Sequence, residues 1–248
     1  MGVRTGLSTL VKVTVVSAAG LPQAARMLSE LLDLVAPERC VGCARRSLWC
    51  EDCRSALTRA RWVSRAGVPL VTPAAASPVM MRAIAQWKDA HYRQLSEVLA
   101  DLLLPELVAE FDSRPLNVVL IPSRKKSLRT RGYQPMVDVV EKLARKSDGQ
   151  FQLATRVLAW RVQPTEQRQL DDVRRERNVA GRMAADRLPS GQLLLLDDVV
   201  TSGATIREAL RALTDAGVRP VGIAALAVPR NNLGQDFVKS VAKPRLRI

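Results

Sequence analysis

Two adjacent carboxylates, Asp197 and Asp198, stand just ahead of Thr201-Ser202-Gly203-Ala204-Thr205, a hydroxyl-rich turn containing a glycine. Carboxylates accept hydrogen bonds from a diol. A turn of this kind at a helix start offers backbone N–H groups and the positive end of a helix dipole to a phosphate. A ribose 5-phosphate carries both a phosphate and a diol, so the spacing points to a sugar-phosphate site. Such a site needs rigid support. Leu193-Leu194-Leu195-Leu196 suits a strand buried on both faces of a parallel sheet, and the following periodicity predicts a helix from Ile206 to about Ala216. In open α/β sheets, ligands bind outside the carboxyl ends of the strands. The plainer reading is a buried strand with an acidic end and a threonine N-cap; the joint pattern is more specific than any of its parts.

The four cysteines of the chain form two Cys-x-x-Cys pairs, Cys40/Cys43 and Cys50/Cys53. Two such knuckles are the usual means of placing four thiolates tetrahedrally around Zn²⁺. A full tetrathiolate shell leaves no open position, so the expected zinc is structural. Arg39, Arg45, Arg46 and Arg54 would offset its negative charge. Disulfides would need an exported protein, and a redox pair would not need duplication.

A chain of 248 residues with 47% hydrophobic content can hold one good-sized domain or one domain with a small module. The net charge of +14 implies polyanionic company, whether nucleic acid or pyrophosphate. Aromatics at 4% argue against an extended base-stacking platform. No apolar run is long enough to span a bilayer, so no membrane insertion is expected. Arg4 and Lys12 ahead of a short apolar run loosely imitate a signal peptide. The simpler expectation is a tail or over-extended start over residues 1–26, Met27 as a candidate initiator, and a cytoplasmic protein.

The expected organisation is an amphipathic helix and cysteine module over 27–60, a Pro/Ala/Ser-rich connector with one short strand over 61–78, an α/β domain over 79–228, and a basic tail over 229–248. Within the α/β domain, helices are predicted over 79–88, 92–111, 137–145 and 206–216, and strands over 117–121, 153–160, 192–199 and 218–228. Residues 171–183 read as a polar helix or ordered loop. The strand ending at Ile121 exits through Pro122-Ser123-Arg124-Lys125-Lys126, and Arg129-Thr130-Arg131-Gly132-Tyr133 continues the basic patch. Glycine between a cation and an aromatic suggests a loop able to close over a ligand; a solvated basic loop is the alternative. His91, the only histidine, reads as structural or exposed.

The stretch from Leu193 to Thr205 resembles the phosphoribosyl-pyrophosphate (PRPP) signature of type I phosphoribosyltransferases. That resemblance implies that Asp197 and Asp198 hold the ribose hydroxyls and act in catalysis, that Thr201, Ser202, Gly203, Ala204 and Thr205 wrap the 5-phosphate, and that Mg²⁺ accompanies PRPP. It also implies that Ser123 and Arg124, with Arg131 beyond them, sit on the pyrophosphate side. With the cysteine module, the Lys88 helix, Arg131-Gly132-Tyr133 and the run containing Gln167, Leu170, Arg175 and Asn178, the chain resembles the ComF/GntX family from about Met27 to Val228. It departs from that family's usual pattern with Gln134-Pro135 after the aromatic. The family implies an N-terminal zinc module joined to a parallel-sheet, phosphoribosyltransferase-like α/β domain. It further implies one of three roles: phosphoribosyl transfer to an unassigned nitrogenous acceptor, PRPP sensing, or handling of single-stranded DNA during uptake. Arg174, Arg175, Arg177, Arg182 and Arg187 are the candidate phosphate-facing set for the last role. The expected partners are therefore PRPP or a related phosphoribosyl ligand, single-stranded DNA, and a second copy of the chain.

Overall fold

The computed structural model describes residues 39–57, 60–63, 68–88, 92–111, 114–123, 129, 132–164 and 177–229. The helix expected ahead of the cysteines, His91, Arg124, Arg131, Arg174, Arg175 and the tail beyond Pro229 lie outside the described residues.

The fold is mixed α/β. Its elements are α1 (Glu51–Ser55), β1 (Ala60–Val63), β2 (Pro69–Thr72), α2 (Pro78–Lys88), α3 (Leu95–Glu110), β3 (Leu116–Leu120), α4 (Pro135–Lys146), β4 (Phe151–Ala154), β5 (Leu158–Trp160), β6 (Met183–Ala185), β7 (Gln192–Val199), α5 (Ala204–Asp215) and β8 (Gly222–Ala227). The main sheet runs β1-β2-β8-β7-β3-β4. β2, β8, β7, β3 and β4 are parallel, and β1 adds an antiparallel edge. Strands β5 and β6 form a separate antiparallel pair.

Leucines 193–196 lie at the centre of this sheet because β7 is covered on both faces. Alternation sends them to opposite sides. Leu194 and Leu196 pack with Leu99 and Leu103 of α3 and Val139, Val140 and Leu143 of α4. Leu193 and Leu195 pack with Ile206, Leu210 and Leu213 of α5 and with Leu158 and Met183 of the small hairpin.

The chain steps outward from β3 to β4 through α4, and in the opposite direction from β7 to β8 through α5. The order therefore reverses between β3 and β7, which makes their carboxyl ends the topological switch point where open α/β sheets bind ligands. Pro135, the departure noted above, is the first residue of α4, where a missing N–H costs no helical hydrogen bond and the fixed φ favours the helix.

Three expectations need refinement. The segment 153–160 is two strands, because Arg156 at φ 60° turns the chain out of the main sheet between them. The segment read as helix or loop ends at Met183, which instead opens strand β6, Met183–Ala185, against β5. The connector carries two strands, and the second pairs with β8 inside the parallel sheet.

Candidate functional site

Asp197 and Asp198 occupy the carboxyl end of β7, where the strand's burial gives way to partial exposure. Asp197 Oδ1 accepts a hydrogen bond from the Asp198 N–H at 2.8 Å. Burial first, and then the charge of Asp198, push the Asp197 carboxyl up to about 7, against the opposing pull of the Asp198 N–H and Lys88. The Lys88 ammonium, at the end of α2, lies 2.6 Å from Asp198 Oδ2.

The turn after β7 takes its shape from Gly203, which adopts φ 72° ψ 3° directly before α5. A Cβ disfavours that left-handed conformation. No side chain caps the helix, and its ladder begins with the Arg207 N–H donating to the Gly203 carbonyl at 2.8 Å. The N–H groups of the first turn thus precede the helical hydrogen-bond ladder, which is the arrangement that receives anions at helix starts. Arg207 Nη1 also donates to the Ser202 carbonyl at 3.0 Å, bracing the turn. Ser202 and Thr205 are half-buried, Thr201 is exposed, and Gly203 and Ala204 are buried.

Strand β3 pairs with β7 through Leu120 and Leu196, and the Ile121 N–H donates to the Leu196 carbonyl at 3.0 Å. The chain then leaves through Pro122 and half-buried Ser123, so Ser123 and the acid pair share one end of adjacent strands. Trp160 Nε1 donates to the Pro122 carbonyl at 2.7 Å, tying the small hairpin to this exit. Of the arginines proposed to face phosphate, Arg177 and Arg187 are exposed, and Arg182 Nη1 donates to the Gln163 carbonyl at 3.2 Å.

Lys88 and Tyr133 take parts that sequence reasoning did not assign. The Tyr133 hydroxyl donates to the carbonyls of Trp87 at 2.9 Å and Lys88 at 3.3 Å, and the Arg93 guanidinium lies 4.8 Å from its ring centre. Both residues fall within motifs quoted above, but their contacts join distant parts of the chain and leave no local spacing to read.

The second cluster is Cys40, Cys43, Cys50 and Cys53, whose Sγ atoms all lie within 4.8 Å of one another. Cys50 Sγ is 3.6 Å from both Cys40 and Cys43 Sγ. That is far beyond a disulfide bond and near the ~3.8 Å edge of a tetrahedron built on ~2.3 Å Zn–S bonds. The backbone fits the same group. The N–H groups of Gly42 and Cys50 donate to Cys40 Sγ at 3.4 and 3.3 Å. A Cβ on Gly42 would stand only 2.6 Å from Cys53 Sγ. Burial works to raise the Cys40 thiol, but the N–H groups of Cys50, Cys43 and Gly42 outweigh it and hold it at about 6. Burial and the neighbouring sulfurs push Cys53 up to about 12. Divalent metal reverses that penalty, since a coordinating thiol is deprotonated outright. The four cysteines can therefore hold a metal ion such as zinc.

Comparison with known proteins gives a partial match. A 51-residue stretch, 21% of this chain, is 40% identical to an orotate phosphoribosyltransferase of Methylococcus capsulatus and covers 24% of that protein. The chain thus spans about a quarter of the length of the curated relative it matches. No family model matches. The partial homology and the parallel sheet together support a phosphoribosyltransferase-like domain. Among the described residues, no helix is long and apolar enough to cross a membrane.

Proposed function

We infer that the carboxyl end of β7 binds a phosphoribosyl ligand, with PRPP as the leading candidate, and that it serves transfer of the phosphoribosyl group to a nitrogenous acceptor. The observation that carries this reading is the succession, at the sheet's switch point, of the Asp197/Asp198 pair and the left-handed Gly203 turn opening α5. The acids accept hydrogen bonds from the ribose 2- and 3-hydroxyls. The N–H groups from Thr201 to Thr205 surround the 5-phosphate. Ser123, at the exit of β3, faces the pyrophosphate; Arg124 and Arg131, assigned to the same side by the resemblance, lie outside the described residues.

In transfer, the C1–O bond to pyrophosphate breaks with its electron pair left on the pyrophosphate oxygen, a C1–N bond forms from the nitrogen lone pair, and the nitrogen's proton passes to solvent. The sugar gains positive character as the leaving group departs, and the carboxylates at Asp197 and Asp198 stabilise it. Among the described residues, only the four cysteines gather three or more metal-ligating side chains. Asp197 and Asp198 would be the carboxylates at hand to hold Mg²⁺ accompanying PRPP, and that ion would supply charge neutralisation for the leaving group. The resemblance to ComF/GntX proteins and the +14 net charge favour a second reading, non-catalytic association with single-stranded DNA in DNA uptake. PRPP sensing without turnover uses the same pocket as transfer.

Calorimetric titration with PRPP and Mg²⁺ in moderate salt tests the first reading. Saturable, Mg²⁺-dependent binding is expected, and Asp197→Asn with Asp198→Asn abolishes it while zinc content and folding stay intact. Unchanged affinity in the double variant would refute the assignment. If the unaltered protein binds single-stranded DNA but not PRPP, the second reading prevails.

A further inference from the structure

The Lys88–Asp198 pair joins α2 to the carboxyl end of β7, and its geometry is built rather than incidental. Both side chains are largely enclosed, at 24% and 28% exposure, so solvent screens them less than a surface pair. Lys88 is the last residue of α2, where the helix dipole favours a cation. Its backbone is gripped from two sides. Tyr133 donates to its carbonyl and to that of Trp87, while Trp87, fully buried, donates through Nε1 to Ser96 Oγ at 2.8 Å. Tyr133 in turn lies under Arg93, which forms a two-pronged pair with Asp138 of α4 at 3.0 and 3.1 Å. A lysine held this way presents its ammonium at one place, next to one of two adjacent acids.

Those acids present a physical difficulty. Two carboxylates suit a diol, but they repel the phosphates of a phosphorylated sugar at close range. Lys88 offsets one of the two charges by pairing with Asp198 Oδ2 at 2.6 Å. Resting on the phosphoribosyl reading above, we propose that Lys88 is a positioning residue of that site. It fixes the Asp198 carboxylate and balances the charge of the acid pair, so that a ligand bearing several phosphates is accepted beside two carboxylates. The consequence is a graded one: the more negative the ligand, the more its binding depends on Lys88.

The test is calorimetry on the zinc-loaded full chain with PRPP–Mg²⁺ and, separately, ribose 5-phosphate. Lys88→Gln should weaken PRPP about tenfold or more, since a partly buried charged contact is worth at least that factor. It should weaken ribose 5-phosphate distinctly less. Lys88→Arg should restore most of the PRPP affinity. Lys88→Gln combined with Asp198→Asn should lose less than the two single losses together, because the pair acts as a unit. A Lys88→Gln protein that binds both ligands as the unaltered chain does would overturn the assignment. So would equal losses for both ligands that arginine fails to recover, which would make Lys88 a packing residue only. These failures leave PRPP binding by the unaltered protein intact. Absence of that binding overturns the phosphoribosyl reading and the Lys88 assignment with it.

Discussion

Asp197 holds its proton to an unusual pH because burial and Asp198 both disfavour its charge, with Lys88 the opposing cation. Its folded value of about 7 lies above the ~3.9 of an unfolded aspartate. Between those values the native state binds a proton that the unfolded chain has released. Stability therefore falls as pH rises through that window, the reverse of an acid whose pKa is depressed by folding. Asp197→Asn should flatten this slope and be more stable than the unaltered protein at pH 8, as read from urea midpoints at pH 5, 7 and 8. For ligand the sign is opposite. A carboxylate accepts both bonds from a diol, so PRPP affinity should strengthen from pH 6 to pH 8, and the Asp197→Asn protein should retain only the shallower dependence owed to the ligand's own phosphates. Asp197 and Asp198 were legible in the sequence because strand, acids, turn and helix follow one another without a break. Lys88 had no such signature, since its meaning comes from a contact between α2 and β7 that only folding creates.

Among the elements, α5 and the β5–β6 hairpin depend on one buried acid. Glu208 is 4% exposed and accepts hydrogen bonds from the N–H groups of Gly181 at 2.9 Å and Met183 at 2.7 Å. Arg211, one turn on, donates to both of its oxygens and to the Met183 carbonyl. Burial works to raise the Glu208 pKa, yet Arg211 and the two N–H groups prevail and lower it. Its stabilisation is present above the normal glutamate range and is lost as pH falls through the depressed value. Glu208→Ala leaves the Gly181 and Met183 N–H groups without their acceptor, while the partly exposed Arg211 keeps Asp215 and the Met183 carbonyl, so a loss of about 1–3 kcal/mol is expected; a thermal or urea unfolding series would measure it. A loss below about 1 kcal/mol would mean that water replaces the carboxylate. Strand β6 escaped sequence reading for a related reason. Met183-Ala184-Ala185 has helix-favouring residues, and its strand state is imposed by pairing with β5 and by Glu208. Helices α2, α4 and α5 were legible because each carries an apolar stripe long enough to display its period, whereas α3 is apolar around most of its circumference and was legible from its length.

At the scale of the whole molecule, the cysteine cluster is joined to the main hydrophobic core. Cys40, Val41, Trp49 and Leu57 belong to the same buried cluster as Met80, Ala83, Ile84 and Trp87 of α2. The expected boundary at residue 60 thus falls between segments that pack against one another. Sequence reading marks a boundary by composition, whereas burial follows contact. Removal of metal by a chelator under reducing conditions should lower the melting temperature of the whole chain by ~10 °C or more, because binding free energy at such sites is folding free energy. Cys40→Ser should reproduce the effect, with about one zinc per chain lost by elemental analysis. A chelated protein that melts as before would mean that the packing of Val41, Trp49 and Leu57 sustains the module alone.

Helix α2 touches both centres. Near its start Val79 packs against the Gly42 turn, where its Cγ1 would lie 3.2 Å from an added Cβ, and Arg82 donates to the Gly42 carbonyl at 3.2 Å; its end delivers Lys88 to Asp198. The helix is 11 residues long, or ~16 Å at the α-helical rise. Incomplete metal loading at one end is therefore expected to lower apparent ligand affinity at the other, which titrations of metal-loaded and chelated protein would check. A batch purified over a chelating resin, or aged until its thiols oxidise, would score as a protein without a ligand. Metal stoichiometry measured on the same aliquot is what separates a spoiled preparation from a true negative.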